Sequence, residues 1–245
     1  MEHDKLQAID NVLADAPISD LTRRKLLQRA AIGAAAVGVA SLGPVGSALG
    51  AGTDDVDAVV NTAVTAEALA VTYVGGVVQN LGDTRPIKPF LPVLKNVLAQ
   101  ELDHYKALKS LGAKPVTEKF WAPDAFFDPK NVFGVLETAD TLFTNAYLIG
   151  ITVFTEAGKP DLARYAGEIA GTEAEHRALA RFAQGKLPNN RGFEDYSITS
   201  MSGIVAALEK AGIGFGKKGA GPGKFYAYQE PPAKALGTVR NERPA

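Results

Sequence analysis

Three histidines occur in 245 residues, and two of them, His104 and His176, stand three residues after a glutamate, Glu101 and Glu173. Both pairs lie in segments whose apolar residues recur three and four apart, the spacing of a helix with one buried face. Three residues is close to one helical turn, so each glutamate and its imidazole share the face marked for burial by Leu98 and Leu108 in one segment and by Ile169 and Ala180 in the other. A buried carboxylate is costly without a partner. With 27 acidic residues in the chain, acids at both of these positions by accident have a chance of roughly 0.01. The chain must fold so that two charged helix faces meet around something that satisfies them.

Four segments carry the helical pattern. The first, 54–80, puts Val60, Val64, Val71, Val74 and Val78 on one stripe and ends at Leu81-Gly82; the second, 89–111, opens on Pro89 and stops at Gly112. Residues 113–131 break the pattern with Phe120-Trp121-Ala122-Pro123 and Phe126-Phe127-Asp128-Pro129. A third helix over 132–157 turns at Gly158-Lys159-Pro160 into a fourth over 161–184. Short loops within each pair and a long one between the pairs predict an all-α four-helix bundle with one long crossover between helices 2 and 3. The aromatic crossover is expected to cover the bundle's side rather than to gate it. Beyond Gly185 the pattern predicts a short helix over 204–211, a Gly- and Lys-rich stretch over 212–223, and a tail from 224 that lies along the bundle or is disordered. The domain reading is a leader over 1–51, the bundle over 52–185 and an extension over 186–245.

The other two helices carry acids on their stripes as well. Glu67 is in register with Val60, Val64, Val71 and Val74. On the third helix Asp140 shares the stripe of Leu136, Phe143 and Tyr147, and it is favoured by its level opposite Glu173; Glu137, one turn earlier, is the alternative. No Lys or Arg shares the stripes near Glu67, Glu101 or Glu173, and the nearest, Arg177, is expected to point away. A metal site is therefore preferred over a core of buried ion pairs. The chain has no cysteine, which excludes thiolate zinc and iron–sulfur sites and leaves oxygen and imidazole as donors. Those donors suit iron, and manganese or zinc fit them too. Tyr147 stands two turns from Asp140; core packing with a satisfied hydroxyl, rather than a redox role, is expected for it as for Tyr73, Tyr105 and Tyr165. The net charge of −1 provides no field for nucleic acid.

Glu67, Glu101-x-x-His104, an acid on the third helix and Glu173-x-x-His176 resemble the ligand set of the ferritin-like di-iron carboxylate proteins, in which one Glu from each of two helices joins Glu-x-x-His from each of the others. More closely, Ala66-Glu67-Ala68-Leu69-Ala70-Val71-Thr72-Tyr73, Phe143-Thr144-Asn145-Ala146-Tyr147-Leu148, Glu173-Ala174-Glu175-His176-Arg177-Ala178-Leu179 and Pro188-Asn189-Asn190 are similar to the exported bacterial ferritin-like domain proteins. That group is in turn similar to the desiccation-related proteins of plants and bacteria. The resemblance implies two iron ions held by Glu67, Glu101, His104, Asp140 (or Glu137), Glu173 and His176, with no catalytic group beyond these ligands. It implies reaction with oxygen or peroxide, ferroxidase-like or peroxide-scavenging, and is compatible with a homodimer. The competing expectation is a non-enzymatic bundle of the cell envelope, associated with stress or desiccation, whose metal is structural or absent. Where relatives carry Glu seven residues before the third-helix tyrosine, Asp140 is one methylene shorter, which bears on the second metal position.

Ahead of the bundle, Thr22-Arg23-Arg24-Lys25-Leu26-Leu27-Gln28 precedes a stretch without charge between Arg29 and Asp54. This is a twin-arginine export pattern. It predicts the twin-arginine machinery as a partner and the periplasm or cell envelope of a bacterium as destination. Cleavage near Gly50 or Ala51 is expected from the small residues there; retention as a membrane anchor is the other outcome.

Overall fold

Asp55 opens the first helix. Its side chain accepts a hydrogen bond from the Ala58 N–H at 2.7 Å, satisfying one of the orphan donors of the first turn, and α1 then runs over Val56–Leu81. The computed structural model describes residues 54–240, so the leader and its twin-arginine segment lie outside the described residues. Helix α2 covers Leu91–Ser110, α3 Val132–Glu156 and α4 Pro160–Ala183. Gly158, at φ +67°, makes the sharp turn between α3 and α4, and Pro160 occupies the first turn of α4, where its missing N–H costs nothing.

Helix α1 packs along α2, and α3 along α4, with α1 also against α3. The apolar stripes meet in one core that includes Val64, Ala68, Leu94, Leu98, Ile149 and Ile169, all nearly or fully buried. By length and composition α1 would pass for a membrane span, yet 72% of its most apolar stretch is buried inside the protein. Burial among partner helices accounts for its hydropathy. The four-helix bundle with a long crossover is thus the fold, with helix bounds within two residues of those that periodicity predicts.

The crossover is more ordered than its sequence pattern suggests. Lys119–Pro123 forms β1, the centre of a three-stranded antiparallel sheet whose outer strands are β2, Gly214–Phe215, and β3, Gly223–Ala227. Phe120 stands opposite Phe215 on one side and Tyr226 on the other. Phe120 and Phe215 are buried against the bundle and meet edge to face at 6.1 Å, while the Lys218 ammonium covers the Trp121 ring at 5.2 Å. A five-residue run ending in proline carries no period that marks a strand, and its partners are supplied by the chain's far end. Between them, α5 over Met201–Lys210 is capped by the Ser200 hydroxyl, which accepts from the Gly203 N–H at 3.2 Å. It begins three residues before the predicted short helix. The tail then runs along α2, where the Gly237 N–H donates to the Lys95 carbonyl at 2.8 Å and the Thr238 N–H to Asn96 Oδ1 at 3.0 Å.

Candidate metal centre

Each bundle helix delivers its acid to one level of the core. Glu67, Glu101, Asp140, Glu173 and His176 are all buried, and only His104 retains a little side-chain exposure. Ala63 and Ala70, about one turn either side of Glu67 on the same face of α1, are small and buried beside its carboxylate. His104 Nδ1 lies 3.3 Å from Glu173, 3.6 Å from Glu101 and 3.7 Å from Glu67. His176 Nδ1 lies 3.2 Å from Glu101 and 3.7 Å from Glu173. The six residues resolve into two overlapping groups, Glu67, Glu101, His104 and Glu173 in one and Glu101, Asp140, Glu173 and His176 in the other, with ligand atoms inside 4.8 Å of one another in each. Glu101 and Glu173 belong to both.

Oxygen or nitrogen atoms of all six residues, among them both oxygens of Glu173 and the Nδ1 of each histidine, are buried with no protein hydrogen bond. Such atoms are rare in native interiors and call for a ligand. Their neighbours orient them. The Tyr147 hydroxyl donates to Glu67, and His176 Nε2 lies 3.0 Å from Gln100 Oε1, which leaves Nδ1 as the ring's free lone pair when Nε2 carries the proton. Tyr147 therefore packs with a satisfied hydroxyl, but on a site carboxylate. Gln100 was not foreseen; its only sequence mark is its place beside Glu101 at the rim of the stripe.

Protonation in the metal-free core follows from crowding. Burial and the charge of Glu101 push Glu67 well above the carboxylate range, with His104 opposing. Asp140 is raised by burial, and His176 opposes. Burial alone would lower both imidazoles, but Glu67, Glu101 and Glu173 around His104, and Glu101 and Glu173 around His176, raise them above the ordinary histidine value. Burial likewise acts to raise Glu101, yet the His104 and His176 imidazoles beside it hold it below the usual range. The site binds protons that a cation would displace.

Arg177 makes no ion pair with Glu67, Glu101 or Glu173 among the described residues; it is buried, pairs instead with Glu194 at 2.8 Å, and its positive charge favours ionised Asp140. The segment after α4 folds back and supplies Glu194, and helical phase alone cannot reveal that return. Glu137 does not join the cluster. Lys186 reaches it at 2.6 Å and Gln184 at 2.9 Å, Arg181 pairs with it too, and although burial acts to raise it these partners hold it at about 2. Glu137→Gln is expected to leave the metal content unchanged while lowering the stability by about 1 kcal/mol; metal analysis and a thermal melt of the variant check both.

A family model described as the ferritin-like domain matches residues 54–186. The chain belongs to the ferritin-like family. No curated protein and no solved structure was found to match it. In this ferritin-like bundle the acids and imidazoles converge from four different helices, and the family match spans all six of them. Carboxylate and imidazole donors of this kind suit a hard or borderline divalent cation.

Proposed function

We propose that this ferritin-like chain holds two iron ions in its core and uses them on oxygen or peroxide, in ferroxidase-like turnover or peroxide scavenging. The observation that carries the reading is the pair of overlapping groups with Glu101 and Glu173 in common. Four carboxylates and two neutral imidazoles balance the charge of two divalent cations, so a core that is otherwise costly becomes neutral. In this arrangement Asp140 serves one position only, and its shorter side chain has to reach a single ion rather than span two. Two ferrous ions held there would supply one electron each, enough to reduce oxygen to hydrogen peroxide, or peroxide to water, with two protons in either case. The chain's own part is to fix the donors. Tyr147 holds Glu67, Gln100 sets the His176 tautomer, and Arg177 favours the ionised form of Asp140. Manganese or zinc would satisfy the same donors, and neither would alter the assignment of residues.

The export pattern at Thr22 to Gln28 supports the periplasm or envelope of a bacterium as the proposed place of work, with the twin-arginine machinery as the proposed carrier. A second reading, a stress- or desiccation-associated envelope bundle with structural or no metal, is favoured by the imidazoles lying 3.2–3.7 Å from the carboxylates, since protonated histidines would neutralise part of a metal-free core. Oxygen uptake separates the two. Ferrous ions added without air to chelator-treated protein, then exposed to oxygen, should be oxidised at least about tenfold faster than with the Glu173→Gln variant. Equal rates for both proteins would favour the structural reading.

A further inference from the structure

A cavity of about 460 Å³ opens beside the candidate centre, walled by α1, α3, the crossover and the end of α5, with Tyr226 of β3. Its inner wall includes Glu101 and Asp140, both in the second ligand group, and Tyr73. From there outward it is lined by Leu69, Phe120, Phe127, Leu136, Leu142 and Phe143. At its mouth Lys130, Asn131 and Thr138 are exposed. Native interiors seldom keep voids larger than a water, and this volume falls in the ~300–1,000 Å³ range of small-molecule sites. Hydrated metal ions gain nothing from apolar walls, and a diatomic such as oxygen needs only a small part of this volume.

Two features indicate what fits. Helix α3 keeps the space open at Gly134, where an added Cβ would meet only Gln184 Oε1, at 3.8 Å. From the first turn of α3 to Asp140 the rise is about 12 Å, room for an extended chain rather than a compact ring. The Lys130 ammonium makes no ion pair among the described residues, whereas the inner end is crowded with carboxylates that repel an anion. We propose that this cavity binds a single-chain amphiphile, its apolar chain lying along α3 toward Asp140 and its anionic head at Lys130. The inference rests on the metal-centre reading only for what the chain's end would face; binding itself needs no metal.

Decanoate titrated into the purified protein by calorimetry, with metal counted in the same samples, tests it. Saturable binding near about one molecule per chain is expected. Gly134→Leu, which fills the cavity, and Lys130→Glu, which reverses the charge at the mouth, should each weaken it at least about tenfold without changing the metal content, and decanol should bind the unaltered protein more weakly than decanoate. Absence of saturable binding, or full affinity in Gly134→Leu, overturns the cavity assignment. Full affinity in Lys130→Glu overturns the placement of the head. Protein found without metal that still binds decanoate supports this inference while removing the metal reading, and metal-loaded protein that ignores decanoate does the reverse.

Discussion

Glu173→Gln and Glu101→Gln are expected to empty both metal positions, whereas Glu67→Gln and Asp140→Asn are expected to empty only one. The asymmetry follows from the overlap of the two groups. Glu101 and Glu173 are common to both, while Glu67 and His104 serve the first alone and Asp140 and His176 the second alone. In metal atoms per chain, the first two variants should fall from about two to well below one, and the other two should retain about one. The replacements keep side-chain volume, so the effect is one of charge and donor strength rather than packing. Loss of fold is a separate matter. Both Glu173 oxygens lie buried without a protein hydrogen bond, and exchanging this carboxylate for a neutral amide removes a neighbour that repels the other acids but also one that attracts both imidazoles. Circular dichroism and a thermal melt of the chelated variant alongside the metal count keep loss of metal and loss of fold apart. Equal metal loss in all four variants would mean that the two positions are not built around common carboxylates.

Metal-free and metal-loaded protein should diverge in stability as pH rises, the first declining while the second holds. Glu67, Asp140, His104 and His176 all have folded values above their ordinary ones. A group raised in this way contributes stability that is complete below its unfolded value and is lost as pH climbs through its folded value. The chelated core holds protons that the unfolded chain has already released, so its stability declines from about pH 5 upward, by about 1.4 kcal/mol per pH unit for each extra proton bound. Glu101 acts in the opposite sense, since its lowered value gives stability present above the carboxylate range and lost only in acid. Metal displaces the protons, so its affinity rises with pH over the same interval. The difference in unfolding free energy between the two forms is expected to widen steadily from pH 5 to pH 8, by roughly the displaced-proton count times that slope for each pH unit, and the melting temperatures should separate in the same sense. A constant gap would show that binding releases no protons and that these carboxylates and imidazoles are not the donors.

What the sequence made legible follows the reach of helical period. Glu67 stands out because every neighbour on its stripe is apolar, and the Glu101–His104 and Glu173–His176 pairs because three-residue spacing keeps them on one face. The same logic left Asp140 and Glu137 in competition, since both lie near one stripe. Partners distant in sequence separate them: Lys186 and Arg181 hold Glu137 to one side, while Asp140 faces the other acids. Three features depended on chain segments that no local period connects. Phe120 gains strand partners about a hundred residues away, Arg177 pairs with Glu194 from the segment after α4, and the cavity is lined jointly by α1, α3, the crossover and the end of α5. Periodicity marks the face a helix buries and leaves open what covers it.

The most direct test of the metal assignment is elemental analysis of the protein, purified without chelator from cells grown with iron and manganese, with atoms counted per folded chain. The account predicts about two metal ions per chain, predominantly iron. Well under one metal per chain in protein that is fully folded would contradict it.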